Sequence, residues 1–226
     1  MRKARKTLTM VLAFVLVAAL SVAGTVAYLT STTQEVKNTF TVGKVAIDLD
    51  EAKTDAEGNG VIVTPEERVK ENSYKLMPGH TYSKDPTVTV KAGSEESYIR
   101  ILVTIDNMTQ LKAALGSDFL PQNFVTGWDN SVWETTREVK TNGDSATYEF
   151  RYVGAANKGT KEGTVAATTT ADIKLAPLFT NVVIPGTASS EDMANLSANT
   201  TVTIIAQAIQ SDGFDDADAA WAAFNA

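Results

Sequence analysis

The sequence predicts an all-β fold with a few short helices, and three observations lead to this prediction. Residues 98–106 place isoleucine or valine at every second position, which is the period of a strand that packs one face on a core. Residues 146–152 repeat the alternation with alanine and aromatic residues. Signals that begin or end helices are sparse, whereas threonine, serine and alanine are plentiful.

Two further segments are assigned by their apolar content. Residues 200–210 are apolar on both faces in the middle, at Ile204 and Ile205, which predicts a strand at the centre of a sandwich. Residues 154–171 are rich in glycine, alanine, threonine and lysine and carry no evident packing residues. We therefore expect this second segment to be a mobile surface loop or a long hairpin.

Two short helices carry recognisable end signals. Asn107 and Gln110 match a capping box, and Gly116 supplies the stop. A last helix is expected over residues 216–224, with Asp215 as its cap and an apolar stripe that docks on the sandwich.

The N-terminus has the pattern of an export signal. Residues 2–6 are basic, Leu8–Ala23 is almost wholly apolar, and Thr25-Val26-Ala27 places small residues before a cleavage point. We expect residues 1–27 to form a signal helix that is cut between Ala27 and Tyr28. The alternative is an uncleaved membrane anchor, but the apolar run is short for a span of about 20 residues. The membrane is therefore a partner only through the leader before cleavage.

Composition narrows the classes of function. The formal net charge is −7, and four of the 20 basic residues lie in the leader, so 16 basic residues oppose 27 acidic ones in the rest of the chain. An acidic surface repels phosphate backbones, which argues against nucleic-acid binding. The chain has no cysteine, which excludes a disulfide scaffold and a cysteine nucleophile and is common in secreted Gram-positive proteins.

The junction between leader and first strand resembles a known family. Ala27-Tyr28 forms a small-residue cleavage site with an aromatic start, Asn38-Thr39-Phe40 follows, and Gly43 precedes the alternating residues 45–49. In these features the chain is similar to the TasA/camelysin family over about its first 50 residues. The resemblance implies a leader that is cut by a SipW-type signal peptidase.

The same resemblance implies a fold and a role. The family has a jelly-roll-like antiparallel β-sandwich, expected here as a single domain over residues 41–226, and is secreted to the cell surface or biofilm matrix. In its fibre-forming members, each subunit donates its N-terminal strand to the next subunit. Residues 28–40 are the corresponding extended arm here, and we expect a homopolymer. The side chains suited to a donated strand are those of Tyr28, Thr30, Thr32, Val36 and Phe40.

Two other functions remain open at this stage. Camelysin is a metallopeptidase, but this chain has no His-Glu-x-x-His and its only histidine is His80, so no catalytic residues are predicted. A surface adhesin or carbohydrate-binding module would use Trp128 and Trp133, which flank a turn. Packing at the edge of the core is the interpretation that we favour for these two rings.

One acidic loop has the spacing of a calcium site. Asp55, Glu57, Asn59 and Glu66 match positions 1, 3, 5 and 12 of an EF-hand loop. The helices that normally flank such a loop are missing, so an exposed acidic hairpin is the competing interpretation. Calcium is the one cofactor that the sequence suggests.

Overall fold

Antiparallel strands make up most of the described chain, which confirms the predicted all-β class. The computed structural model describes residues 43–60, 67–116, 120–189 and 200–226, with residues 191 and 196. Within these ranges lie twelve strands and two α-helices. The strands are β1 (Ile47–Ala52), β2 (Arg68–Val69), β3 (Thr81–Ser83), β4 (Thr87–Val90), β5 (Ser97–Ile105), β6 (Val125–Thr126), β7 (Trp133–Asn142), β8 (Ser145–Tyr152), β9 (Thr164–Val165), β10 (Ile173–Lys174), β11 (Asn181–Val183) and β12 (Val202–Gln210). The helices are α1 (Met108–Leu115) and α2 (Ala217–Phe224), and a 3₁₀ turn covers Pro121–Phe124.

Two larger sheets enclose one apolar core. The first sheet has the strand order β10-β4-β1-β2, and the second has the order β12-β5-β8-β7, with β9 also paired to β5. A small third sheet has the order β3-β11-β6. Val88 and Val90 of the first sheet and Ile99, Ile101 and Val103 of the second are buried in the same core cluster. The result is a sandwich-like arrangement of antiparallel sheets.

The predicted strand of residues 98–106 is the central strand of the second sheet. β5 pairs with β12 along its whole length on one side and with β8 and β9 on the other. The odd-numbered side chains of β5 point into the core and are buried, as the alternation predicted. Burial of these branched side chains is the main reason why the chain forms a strand here.

The prediction for residues 200–210 is wrong in its placement. These residues form β12, but β12 lies at the edge of the second sheet and pairs with β5 alone among the described residues. Ile204 packs on the core, whereas Ile205 points to the other face and is 48% exposed. Apolar residues on both faces of a strand indicate a central position only when other elements cover both faces. The sequence of the strand itself does not show which elements cover it.

Residues 154–171 contain the expected hairpin, in which Lys158 pairs with Val165 and the Ala166 N–H donates to Asn157 C=O at 2.8 Å, but the expectation that the segment carries no packing residues is wrong. Thr164–Val165 forms β9 on the edge of β5, and Val165 is fully buried. The Glu96 carboxylate holds the preceding turn by accepting from the backbone N–H groups of Thr160 and Lys161, each at 2.9 Å. Burial raises the pKa of Glu96, but these hydrogen bonds and that of the Thr164 hydroxyl outweigh it and lower the pKa to about 2.

The two helices begin differently from the prediction. Asn107 makes no capping hydrogen bond and has a φ of 57°; instead, Asp144 in the β7–β8 turn accepts from the Thr109 N–H at 2.8 Å. The start of α1 is therefore capped from another element, whereas its stop at Gly116 is as predicted. Asp216, one residue after the predicted cap, accepts from Ala219 N–H at the start of α2. Neither described helix combines the length and apolar character needed to cross a membrane.

Candidate functional site

The free edge of β12 stands out among the strand edges that the structure describes. All nine residues of β12 pair with β5 in one uninterrupted register. Asp106 N–H donates to Thr201 C=O at 3.1 Å, and Ser211 N–H donates to Glu96 C=O at 2.8 Å, so the odd-numbered residues carry the bonds to β5. The backbone groups of residues 202, 204, 206, 208 and 210 therefore point away from β5, and no backbone bond to them is seen within the described residues.

The opposite edge of the same sheet is protected. β7 shifts its register against β8 between Thr135 and Val139, so the pairing of this edge strand is irregular. Its sequence also carries charged residues, at Glu134, Arg137, Glu138 and Lys140. Bulges and charges on an edge strand prevent another strand from adding to it. The sequence of β12, VTIIAQAIQ, has neither charge nor proline.

The edge of β1 is covered by side chains at Leu49. Lys91 N–H donates to Ala46 C=O, so the even-numbered residues of β1 bond to β4 and the odd-numbered ones point outward. At Leu49 the outward C=O accepts from Lys70 Nζ at 2.6 Å, and the outward N–H donates to Asp48 Oδ1 at 3.0 Å. The outer strands β2, β3, β6 and β10 have only two or three residues each. Among the described edges, β12 thus combines length, regularity and lack of charge.

The core is exposed beside β12. Ile204, Ala206 and Ala208 face the core but are only partly buried, and Val202 on the same face is 47% exposed. Their partners on β5, by contrast, are buried.

β1 lies beside β12 without pairing to it, and Ile47 and Leu49 pack partly buried on the same core. The partly exposed apolar side chains where the two strands adjoin are Ile47, Leu49, Val202, Ile204, Ala206 and Ala208.

The outer face of β12 is supported by α2. Arg100 of β5 is 3% exposed, and its guanidinium carbon lies 4.2 Å from the centre of the Trp221 ring. Arg100 Nε donates to Gln207 Oε1 of β12 at 2.8 Å, and its Nη2 donates to Asn225 Oδ1 at 2.9 Å. Burial lowers the pKa of Arg100, while Glu149 opposes that effect. These contacts hold α2 on the outer face of the sheet.

Three of the four residues that were predicted to bind calcium, Asp55, Glu57 and Asn59, are described and lie in one compact acidic turn. Both carboxylate oxygens of Asp55 accept from Asn59, from its N–H at 2.7 Å and from its side-chain amide at 3.1 Å. The side-chain hydrogen bond of Asn59 is the largest cause of the lowered pKa of Asp55. Glu57 is exposed, and Glu66 lies outside the described residues. Within the described part of the chain, no three acidic or histidine side chains come close enough to hold a metal ion, so calcium binding stays a prediction.

The tryptophans and the histidine mainly pack on other aromatic rings. Trp133 is 0% exposed and donates its indole N–H to Ala176 C=O at 2.9 Å. Trp128 is partly buried and donates to Trp133 C=O at 2.8 Å. His80 lies 5.2 Å from the Tyr82 ring, measured between centroids. The core-packing interpretation is therefore confirmed for Trp133.

The cleavage site and the arm fall outside the described residues, so their role stays a prediction. This concerns Ala27, Tyr28, Thr30, Thr32, Val36 and Phe40. The long regular edge of β12 was missed by sequence reasoning, although the lack of charge in residues 202–210 was a usable signal. Comparisons with protein-family models, with curated proteins and with solved structures found no match for this chain.

Proposed function

We propose that the protein is a secreted structural subunit of a TasA-like fibre in the extracellular matrix or at the cell surface. A SipW-type signal peptidase removes residues 1–27, and the released arm adds as a strand to a neighbouring subunit. The observation that carries this proposal is the long, regular and uncharged edge of β12, on which no other strand of the described residues pairs. A strand edge of this kind pairs readily with another chain unless something prevents it.

The energetic argument starts from backbone groups that have no partner among the described residues. Five residues of β12 direct their N–H and C=O groups to the free edge. An added strand replaces water on these groups, and each hydrogen bond contributes about 1 kcal/mol. It also covers partly exposed apolar side chains of the core, which contribute about 25 cal/mol for each Å² removed from water. The two terms together can offset the entropy that an extended arm loses on binding.

The direct experiment compares two forms of the chain, one beginning at Tyr28 and one at Thr41. The core residues that the structure describes all follow residue 43, so the shorter form retains them. We expect the longer form to assemble into filaments in size-exclusion chromatography and negative-stain microscopy, and the shorter form to stay monomeric. The acidic charge makes assembly depend on salt, so both forms are compared over a range of ionic strength. Monomers of both forms in every condition would refute strand donation.

The two alternative functions receive no comparable support. A glycan platform built from both tryptophans lacks Trp133, because that ring is fully buried. For a camelysin-like peptidase, the informative measurement is casein digestion by pure protein, with loss of activity on addition of a chelator and in His80→Ala.

A further inference from the structure

We propose that Lys84 and Asn72 join through an amide bond between their side chains, in a reaction that the folded chain performs on itself with Glu51 as the catalytic acid and base. This inference is independent of the proposed fibre function, which rests on other residues. It assigns the chain a self-modification site whose product is a covalent link within the domain.

One carboxylate holds both reacting groups. Glu51 belongs to β1 and is 6% exposed. Its Oε2 accepts from Lys84 Nζ at 2.5 Å, and its Oε1 accepts from Asn72 Nδ2 at 2.9 Å. The fold thus brings an amine and a carboxamide together on a buried carboxylate, which replaces a chance encounter in solution. The flexible stem of lysine lets Nζ move from the carboxylate to the adjoining amide carbon.

The side-chain amide of Asn72 is fixed in the orientation that the reaction needs. Its Nδ2 also donates to Ala52 C=O at 2.9 Å, and its Oδ1 accepts from the Thr54 N–H at 2.9 Å. The nitrogen, which is the leaving group, therefore faces the carboxylate that can protonate it. The backbone N–H on the amide oxygen stabilises the negative charge that develops there when an amine attacks the carbon.

The lysine lies against an aromatic cluster. The Lys84 side chain is 16% exposed, and its Nζ lies 5.7 Å from the centre of the Tyr74 ring. Tyr74 packs edge-on against Tyr82, which is 2% exposed. Burial raises the pKa of Tyr74 to about 12, and the charge of Glu51 contributes to this rise. Surroundings that disfavour charge promote proton transfer from the ammonium to the carboxylate, and this transfer frees the lone pair of the amine.

The reaction is balanced without an oxidant or a further reactant. Glu51 takes a proton from the Lys84 ammonium, and the free amine attacks the amide carbon of Asn72 to form the Nζ–Cγ bond. Glu51 then protonates Nδ2 and removes a second proton from Nζ, and the Cγ–Nδ2 bond breaks. The departing ammonia takes this proton from Glu51 and leaves as ammonium. The products are a secondary amide and ammonium, and the carboxylate is restored.

Such a link has a clear structural effect. It closes residues 73–83 into a ring that contains β3 and packs on the core through Tyr82. A cross-link restricts the unfolded chain and thereby stabilises the folded one, which is the usual role of a disulfide. This chain has no cysteine, so an amide bond supplies a covalent link that a disulfide cannot.

Trypsin digestion and mass spectrometry of the purified full chain test the bond, and the readout does not depend on how the N-terminus is processed. Without the bond, trypsin releases residues 71–75 and 76–84 as separate peptides. With the bond, trypsin no longer cuts after the modified Lys84, and residues 71–75 stay joined to residues 76–91. The joined product should weigh about 17 Da less than its two parts, because one ammonia is lost.

Two variants test the assigned roles, and a third is the matched control. Lys84→Arg keeps the positive charge but removes the amine, so we expect no joined peptide. Glu51→Gln keeps the size of the side chain but removes the proton-transferring group, so we expect at least about tenfold less joined peptide. Lys53→Arg alters an exposed ion pair with Glu67 and should leave the linkage complete. Denaturant unfolding followed by tryptophan fluorescence establishes that each variant is folded.

Separate peptides from the folded wild type, even after prolonged incubation, would overturn the proposal. A loss of about 18 Da with Lys84 joined to Glu51 would mean that water had left instead of ammonia, and Asn72 would be the wrong partner. Full linkage in Glu51→Gln would refute the catalytic role of Glu51. The filament experiment is read separately, so failure of either proposal leaves the other standing.

Discussion

A proline scan of β12 tests the hydrogen-bond parity on which the proposed addition of a strand to its edge depends. At residue 206 the N–H points away from β5, so Ala206→Pro removes no bond of the ladder. At residue 205 the N–H points to Leu102 C=O, and proline there removes that bond and leaves the carbonyl without its partner. Proline is tolerated on edge strands only when its nitrogen faces the open side.

The expected magnitudes differ enough to measure. Ile205→Pro is compared with Ile205→Ala, so that both contrasts are changes from alanine to proline. We expect the contrast at residue 205 to cost about 2–3 kcal/mol of unfolding free energy, from the lost bond and the unsatisfied carbonyl. The contrast at residue 206 should cost less than about 1 kcal/mol, because proline keeps an extended backbone.

The assay is denaturant unfolding followed by tryptophan fluorescence, on the form that begins at Thr41 so that association does not contribute. In the form that begins at Tyr28, Ala206→Pro should instead reduce filament assembly, because it removes one donor from the free edge and obstructs the added strand. An equal loss of stability at both positions would mean that the N–H of residue 206 is already paired, and the reasoning about the free edge would be wrong.

Three further predictions concern the support of the site. Glu96→Gln should lower stability at neutral pH by about 1–2 kcal/mol after solvent screening is considered. The wild type should lose this contribution as the pH falls from about 4.5 to about 2, since the pKa of Glu96 is lowered to about 2 in the folded chain. The unfolding free energies of the wild type and of Glu96→Gln, measured against pH, should therefore converge near pH 2. Arg100→Met should cost about 2 kcal/mol and change Trp221 fluorescence as α2 loosens, because the stacking and three hydrogen bonds, to Gln207, Glu149 and Asn225, are lost; unchanged fluorescence would show that α2 docks without Arg100. Trp133→Ala should cost about 4 kcal/mol in thermal or denaturant unfolding, as expected for a fully buried ring, whereas a small loss would contradict its place in the core.

In the proposed mechanism, the donated arm was suggested by the sequence, whereas the β12 edge that would receive it was suggested by the structure. A cleavage signal and an extended polar arm are local patterns that can be recognised from neighbouring residues along the chain. An acceptor edge is defined by what does not pair with it. That property of β12 became visible only when β5 was found on one side and no described strand on the other.

The elements of the fold differ in the same way in how far the sequence predicts them. Residue alternation was sufficient to predict β5 and β8, and the apolar stripe was sufficient for α2, because burial of one face leaves a direct trace in the sequence. Val165 was missed because a single apolar residue in a polar segment has no period, and its burial depends on distant β5.

Contacts between distant segments account for the remaining differences. Asp144 caps α1 from 35 residues away from Thr109, so the cap could not be read near Asn107. Sequence alone thus determined the strongly alternating strands β5 and β8 and their core-facing parity, since both depend on adjacent side chains. Tertiary structure decided which strand is an edge and which carboxylate caps a helix, since these depend on neighbours that only folding brings together.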